Sequence, residues 1–110
     1  MDLSLAVDDV DGRAVVRVAG DVDIDTSPSL RSKVRELLDS GRRALVIDVS
    51  GVDFIDSTGL GVLVGALKET QNREGTLDLV CTQHRMLKLL HLTGLDEAFK
   101  VHEADIAGTA

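Results

Sequence analysis

The sequence predicts an α/β fold: one small mixed β-sheet with helices packed mainly on one face. Segments with the apolar period of a strand alternate with segments of helical period, in the order β-β-α-β-α-β-α-β. The first two strands are close enough to form a hairpin, whereas the later strands are separated by helices and should pair in parallel. The 110 residues, 44% of them hydrophobic, suffice for one core, and no repeat or linker divides them.

The N-terminal segment predicts the hairpin. Residues Leu3 to Val7 alternate apolar with polar or small side chains, as a half-buried strand does. A second, Val-rich strand is predicted from Arg13 to Ala19, with Gly20 closing it. The segment Asp8 to Gly12 provides the turn, because glycine adopts positive φ without steric cost.

The next segment predicts a helix and a central strand. Ser27 is the expected N-cap, and Pro28 fits the first helical position because its missing N–H needs no partner there. The helix presents one apolar stripe and is expected to end near Gly41. The nearly continuous apolar run from Ala44 to Val49 is typical of a central parallel strand.

The second half repeats this alternation. A helix is predicted from Ser57 to Asn72, a strand from Leu77 to Cys81 and a helix from Gln83 to Leu92. Thr93-Gly94-Leu95 should break that helix, and a short strand is expected from Phe99 to His102. The domain therefore spans residues 1–110, with a flexible polar tail predicted at 103–110.

Composition excludes several functions. A net charge of −7 and a pI near 4.7 argue against nucleic-acid binding, which normally uses a basic surface. No signal peptide or membrane-length apolar run is visible, so a cytoplasmic protein without membrane contact is expected. The single cysteine, Cys81, excludes an intramolecular disulfide and is expected to be a buried, inert thiol.

A cluster of acids resembles the phospho-acceptor site of receiver domains. Asp8 and Asp9 follow the first strand, and Asp48 or Asp53 lies near a later strand end. In a receiver, however, the acidic pair leads into a helix, whereas Gly12 here leads into another strand. Asp8 and Asp9 are therefore expected to be solvated turn residues.

Other groups give equally little support to an enzyme. The Asp21-Val22-Asp23-Ile24-Asp25-Thr26 segment lacks the rest of a calcium loop. It is expected to be an exposed connection that leads to Ser27, and an acidic interaction edge is the alternative. His84 and His91 are seven residues apart on one helix, roughly 10 Å, which is too far for one metal ion. No metal, cofactor or catalytic residue is predicted.

The segment Asp53-Phe54-Ile55-Asp56-Ser57-Thr58-Gly59-Leu60-Gly61 carries the main functional signal. Ser57 at a helix start is either a plain N-cap or a phosphorylation site, and Thr58 is the alternative cap. Gly61 and Gly65 lie four residues apart and leave one side of the helix without side chains. That stripe allows close approach of either the protein's own sheet or a partner.

This segment resembles the phosphorylation site of anti-sigma factor antagonists, which are single-domain members of the STAS family. The resemblance covers nearly the whole chain: Gly20-Asp21-Val22-Asp23, Ser27-Pro28 to Leu38 and Thr93-Gly94-Leu95 also match family segments. Asp21 stands where the family often has Glu. The short tail after Glu103 departs from the family's usual final helix.

The resemblance implies a partner-switching phosphoprotein that regulates transcription and is not an enzyme. Its unphosphorylated form would bind an anti-sigma factor that is an ATP-dependent serine kinase, and so release a sigma factor of a stress or developmental response. Phosphorylation on Ser57 would end that binding, and a metal-dependent serine phosphatase would restore it. The expected partner-binding residues are Asp21, Asp23, Asp56, Ser57, Thr58, Gly59, Gly61, Val62 and Gly65. A monomer or weak dimer is expected, and the alternative is a scaffold or sensor STAS protein of a larger phospho-regulated assembly.

Overall fold

A computed structural model describes residues 2–104, and the last part of the predicted tail, 105–110, lies outside the described residues. The elements follow in chain order. They are β1 (Leu3–Val10), β2 (Arg13–Val22), α1 (Ser27–Asp39), β3 (Ala44–Ile55), α2 (Ser57–Asn72), β4 (Thr76–Val80), α3 (His84–Leu92), α4 (Leu95–Ala98) and β5 (Val101–His102). Among residues 2–104, no helix combines the length and apolar character needed to cross a membrane.

The five strands form one mixed sheet in the order β1-β2-β3-β4-β5, which confirms the predicted fold class. β1 and β2 are antiparallel, and every later neighbour is parallel. The hairpin turns on Asp11 and Gly12, both at positive φ (51° and 81°), as a two-residue turn that matches strand twist requires. From β2 onward the strands follow one another across the sheet in chain order. Because crossovers between parallel strands are right-handed, the helices that connect them lie on the same face.

That face carries the main core, which includes Val16, Leu30, Ile47, Leu63 and Leu79, all nearly inaccessible to solvent. The opposite face holds a smaller apolar cluster of Val15, Val46 and Val80, also buried, with half-buried Val10 against it. The predicted asymmetry of helix coverage is therefore confirmed.

β1, β2 and β3 are longer than predicted, and the extensions of β2 and β3 form the base of the candidate site. β3 continues past Val49 to Ile55 despite Gly51 and Asp53, because β2 continues beside it to Val22 and supplies its pairing partners. A register irregularity at Gly20/Asp21 keeps the two strands paired. Pairing between strands outweighs the local sequence, which is weakly strand-like there.

Four smaller predictions were wrong. β5 is limited to Val101–His102, whereas a strand was predicted from Phe99 to His102. α1 begins at Ser27, so that Thr26 is its N-cap residue, and Pro28 falls in the first turn as expected. The prediction missed the one-turn helix α4, which starts after Gly94 at a φ of 77°. The strand β4 starts at Thr76 and ends at Val80, one residue earlier than predicted.

Candidate functional site

The connection between β3 and α2 holds the hydroxyl residues that the sequence singled out. After Ile55, Asp56 is extended (φ −102°, ψ −174°), and the helix begins at Ser57. Asp56 Oδ1 accepts a hydrogen bond from the Gly59 backbone N–H at 2.9 Å, which makes Asp56 the N-cap. Of the two interpretations that the sequence left open for Ser57, the plain N-cap is wrong, and so is Thr58 as the alternative cap, because the carboxylate of Asp56 already satisfies that N–H.

Ser57 is exposed at the first position of α2. Its hydroxyl makes no hydrogen bond to another residue within 2–104, so the capping role that would occupy it is absent. The connection that holds it is fixed by Asp56, whose backbone N–H donates to the Val22 carbonyl at 3.2 Å. Thr58 is exposed as well, and the preference for Ser57 rests on the family resemblance.

Three glycines of α2 have different surroundings. A Cβ on Gly59 would lie 2.6 Å from the Val22 carbonyl oxygen and 2.6 Å from Ile55 Cγ1, closer than real Cβ contacts. Gly59 is buried, so it allows the helix to meet β2 and presents almost no surface to a partner. Gly61 and Gly65 are different: a Cβ on either would meet nothing within 4 Å. The sequence allowed this stripe to approach either the protein's own sheet or a partner. Close packing against the sheet is excluded, because the sheet lies beyond 4 Å of both positions.

The acidic segment beside this helix start forms an internally bonded loop. Asp23 Oδ1 accepts hydrogen bonds from the backbone N–H groups of Asp25 at 2.9 Å and Thr26 at 3.0 Å. The bond from the Thr26 N–H is the main reason that the pKa of Asp23 lies below its usual value. Asp23 is only 8% exposed, so its part in the site is to shape the loop, whereas Ile24 and Asp25 at the tip are exposed.

The acids that resembled a receiver site have structural partners instead. Arg17 bridges Asp8 (Nε to Oδ2, 2.8 Å) and Asp48 (Nη1 to Oδ2, 2.8 Å) across the helix-free face of the sheet. Asp9 pairs with Arg42 at 2.5 Å. Asp8 and Asp9 are exposed to solvent, as predicted, but their assignment to the turn was wrong, because both lie in β1 and form ion pairs. Their carboxylates are not gathered into a phospho-acceptor site.

The histidines are dispersed. His91 Nδ1 lies 2.9 Å from Asp96 Oδ2. His102, in the edge strand β5, has its Nε2 3.0 Å from Asp78 Oδ2. In the described part of the chain, no group of three or more His, Cys, Asp and Glu side chains is placed to hold a metal ion. Cys81 is buried as predicted, and burial raises the pKa of its thiol.

Sequence reasoning missed an apolar groove between the end of β3 and α3. A cavity of about 270 Å³ is lined by Val52, Asp53, Phe54, Ile55, Arg85, Met86, Lys88, Leu89 and Leu92. Phe54 is 49% exposed and Leu92 is 71% exposed, so two large apolar side chains of the same groove face solvent. The signal was present in α3: residues 85, 88, 89 and 92 share one helix face, separate from the buried face of Met86 and Leu90.

Comparison with known proteins agrees with this geometry. The model of the STAS domain family matches residues 4–105. An anti-sigma-B factor antagonist of Bacillus subtilis (strain 168) is 33% identical over 101 residues, 92% of each chain. One from Staphylococcus aureus (strain NCTC 8325 / PS 47) is 30% identical over 103 residues, 94% of this chain and 95% of its own.

Solved structures share the fold. The crystal structure of an anti-sigma factor antagonist from Mycobacterium paratuberculosis superimposes with a TM-score of 0.83 at 32% identity. The superposition covers 94% of this chain and 87% of the Mycobacterium chain. The Bacillus cell fate determinant SpoIIAA in its phosphorylated form has a TM-score of 0.71 at 21% identity, covering 94% of each chain. At that identity the second likeness supports the fold alone.

Proposed function

Because this chain belongs to the STAS domain family, we propose that it is an anti-sigma factor antagonist controlled by phosphorylation on Ser57. Two relatives of nearly the same length, at 33% and 30% identity, bear the name anti-sigma-B factor antagonist. The observation that carries the proposal is the state of Ser57 itself. Its hydroxyl is exposed, unbonded within residues 2–104 and not needed as a cap, so a kinase can modify it without breaking the fold.

The proposed contact surface for the anti-sigma factor surrounds this hydroxyl. We call it the switch surface: Asp21, Asp56, Ser57, Thr58, Gly61, Val62 and Gly65, with Asp23 and Gly59 beneath it as supports. The open space over Gly61 and Gly65 supports this assignment, since a partner can approach the helix backbone there. Unphosphorylated, the chain would hold the anti-sigma factor and so free a sigma factor.

Phosphorylation should act on this contact and leave the fold intact. A phosphate on Ser57 lies at a helix N-terminus, where free N–H groups and the helix dipole favour an anion. In a complex, the same group would sit beside the Asp56 carboxylate and lose its water, which would disfavour the complex relative to the free chain. A penalty of about 3 kcal/mol would weaken binding more than a hundredfold.

The proposed circuit needs three further proteins. The anti-sigma factor is an ATP-dependent serine kinase, a metal-dependent serine phosphatase removes the phosphate, and the released sigma factor acts in the cytoplasm. The chain itself is proposed to catalyse nothing and to bind no cofactor, nucleic acid or membrane. We propose that the free chain is a monomer or a weak dimer.

A pull-down from lysate of the source cell tests the proposal, with the wild type, Ser57→Ala and Ser57→Asp as baits. We expect an ATP-binding serine kinase on the wild type and Ser57→Ala but not on Ser57→Asp, and phosphate on Ser57 by peptide mass analysis. Thr58→Val is the matched comparison for the modified position: it removes the neighbouring exposed hydroxyl and keeps Ser57, so phosphate should still be found on Ser57. Phosphate on Thr58 instead, or binding indifferent to residue 57, would contradict the proposal. Capture of large multimers would favour the scaffold or sensor alternative.

A further inference from the structure

We propose that the groove beside the switch surface is a second contact site for the same anti-sigma factor. The segment of the anti-sigma factor that binds there would contain apolar side chains with acidic residues beside them. This inference rests on the proposed function and adds to it the chemistry of a partner segment. We call the cavity between residues 52–55 and 85–92 the side groove. Its strand wall leads directly through Ile55 into Asp56 and Ser57, so the groove adjoins the switch surface and is within reach of a partner that binds there.

The side groove is held open by a defined set of hydrogen bonds. β4 pairs with β3 only as far as Asp48, which leaves the edge of β3 beyond that residue without a strand neighbour on this side. The Gln83 side-chain amide donates to the carbonyls of Ser50 at 3.2 Å and Val52 at 3.1 Å. Gln83 precedes α3, so these bonds fix the distance between the helix and the strand wall.

The exposed side chains of the groove form an apolar surface that the rest of the described chain does not cover. Phe54 stands on its strand wall and Leu92 on its helix wall, and both expose much of their surface. Val52, Met86 and Leu89 form the apolar floor. A continuous apolar surface of this kind, next to a proposed contact surface, is typical of protein–protein interfaces.

The charged residues around the side groove indicate which kind of partner segment it binds. Arg85 and Lys88 rim the helix side, and Asp53 stands on the strand side. Arg85 Nε donates to the Gln83 side-chain oxygen at 3.0 Å, which keeps its guanidinium beside the groove. Lys88 makes no ion pair with another residue of the described range. The helix side therefore favours carboxylates, although the chain as a whole carries a charge of −7.

The charges beside the two surfaces are arranged differently. The switch surface contains Asp21 and Asp56, and Arg31 of α1 lines the hollow beside Thr58 and Gly61, whereas Arg85 and Lys88 rim the helix side of the side groove. A partner that contacts both surfaces would present its acidic, apolar segment to the side groove. Such a pattern fixes the orientation of a complex and disfavours reversed docking.

The test measures the affinity of the anti-sigma factor captured by the wild type for purified variants of this chain. We expect Leu92→Ser and Lys88→Glu each to weaken binding about tenfold or more, and Lys88→Arg to bind like the wild type. Lys33→Glu on α1 is the matched charge-reversal control and should bind within about twofold of the wild type. Thermal unfolding followed by circular dichroism checks each variant, and the exposed positions of Leu92 and Lys88 predict folded proteins.

A second measurement locates the partner directly. Cys81 is buried, so Asp53→Cys on the strand side of the groove provides one accessible thiol for an environment-sensitive fluorophore and keeps Leu92 and Lys88 in place. We expect a blue shift of its emission when the anti-sigma factor binds, and a smaller shift when Lys88→Glu is added.

The outcomes separate the two proposals. Equal affinities for the wild type, Leu92→Ser and Lys88→Glu would overturn the side groove while the Ser57 switch stands. No kinase bound by the wild type would overturn the proposed function and this inference with it. A wild-type dimer that becomes monomeric on Leu92→Ser would assign the groove to a second copy and overturn the inference as well.

Discussion

The three glycines of α2 allow a prediction in which identical substitutions have opposite effects on stability. At Gly59 an added methyl would lie 2.6 Å from the Val22 carbonyl oxygen, whereas an ordinary van der Waals contact of a Cβ is 3.4–4 Å. That oxygen belongs to β2, so relief of the contact requires α2 or the strand to shift. Overpacking of this kind costs roughly 1–3 kcal/mol. Because Gly59 lies in the first turn, the helix-propensity gain of alanine offsets only part of it.

At Gly61 and Gly65 the same methyl would meet nothing within 4 Å. Both lie inside the 16-residue helix, where alanine is favoured over glycine by about 1 kcal/mol. We expect Gly59→Ala to lower the free energy of unfolding by about 1–2 kcal/mol. We expect Gly61→Ala and Gly65→Ala each to raise it by about 1 kcal/mol, which corresponds to roughly 4–8 °C in Tm for a domain of this size.

The assay is urea unfolding followed by circular dichroism, since the chain contains no Trp or Tyr for fluorescence. An unchanged slope with a shifted midpoint would attribute each effect to the native state. If Gly59→Ala unfolded at the wild-type midpoint, the close approach to Val22 would not limit this position. If Gly61→Ala unfolded earlier than the wild type, the outward orientation of the stripe would be wrong.

Three further predictions concern the capping residue, the acidic loop and the thiol. Asp56→Ala should lower the free energy of unfolding by about 1 kcal/mol and Asp56→Asn by less, in the same urea assay, because asparagine retains the capping oxygen. Folding favours the ionised form of Asp23, since its pKa lies below its usual value of 3.8. Its contribution is therefore complete above that pH and lost as the pH falls through the folded pKa, so the urea midpoints of wild type and Asp23→Asn should converge in acid. Cys81 should react with a thiol reagent only at the rate of unfolding, because it is buried and its pKa is raised; rapid reaction in native buffer would contradict this.

The fold was predictable because its signals are periodic. The alternation of strand and helix, the Asp11-Gly12 turn and Gly41 after α1 are local features that the three-dimensional structure preserves. The length of β3 was not predictable in this way. Residues 50–55 contain Ser50, Gly51 and Asp53, and only their pairing with the end of β2 makes them a strand.

The same limit applies to the site. The helix start was placed at Ser57 correctly, but three consecutive residues, Asp56, Ser57 and Thr58, are all suitable caps by residue type. Backbone geometry decides between them, and it gives that role to Asp56. Likewise the glycines of α2 look alike in the sequence, and only the path of β2 shows that Gly59 is enclosed while Gly61 and Gly65 are open.

The cost of the open glycines supports a functional origin for their stripe. A helix that carries Gly61 and Gly65 without any contact that requires them is less stable than it could be, by about 1 kcal/mol at each position. The glycine at 59 has a reason within the fold, and the other two have none among the described residues. A requirement imposed by an approaching partner would supply one. If so, Gly61→Ala and Gly65→Ala should stabilise the free chain and weaken its complex, a pair of opposite effects that a purely structural helix would not produce.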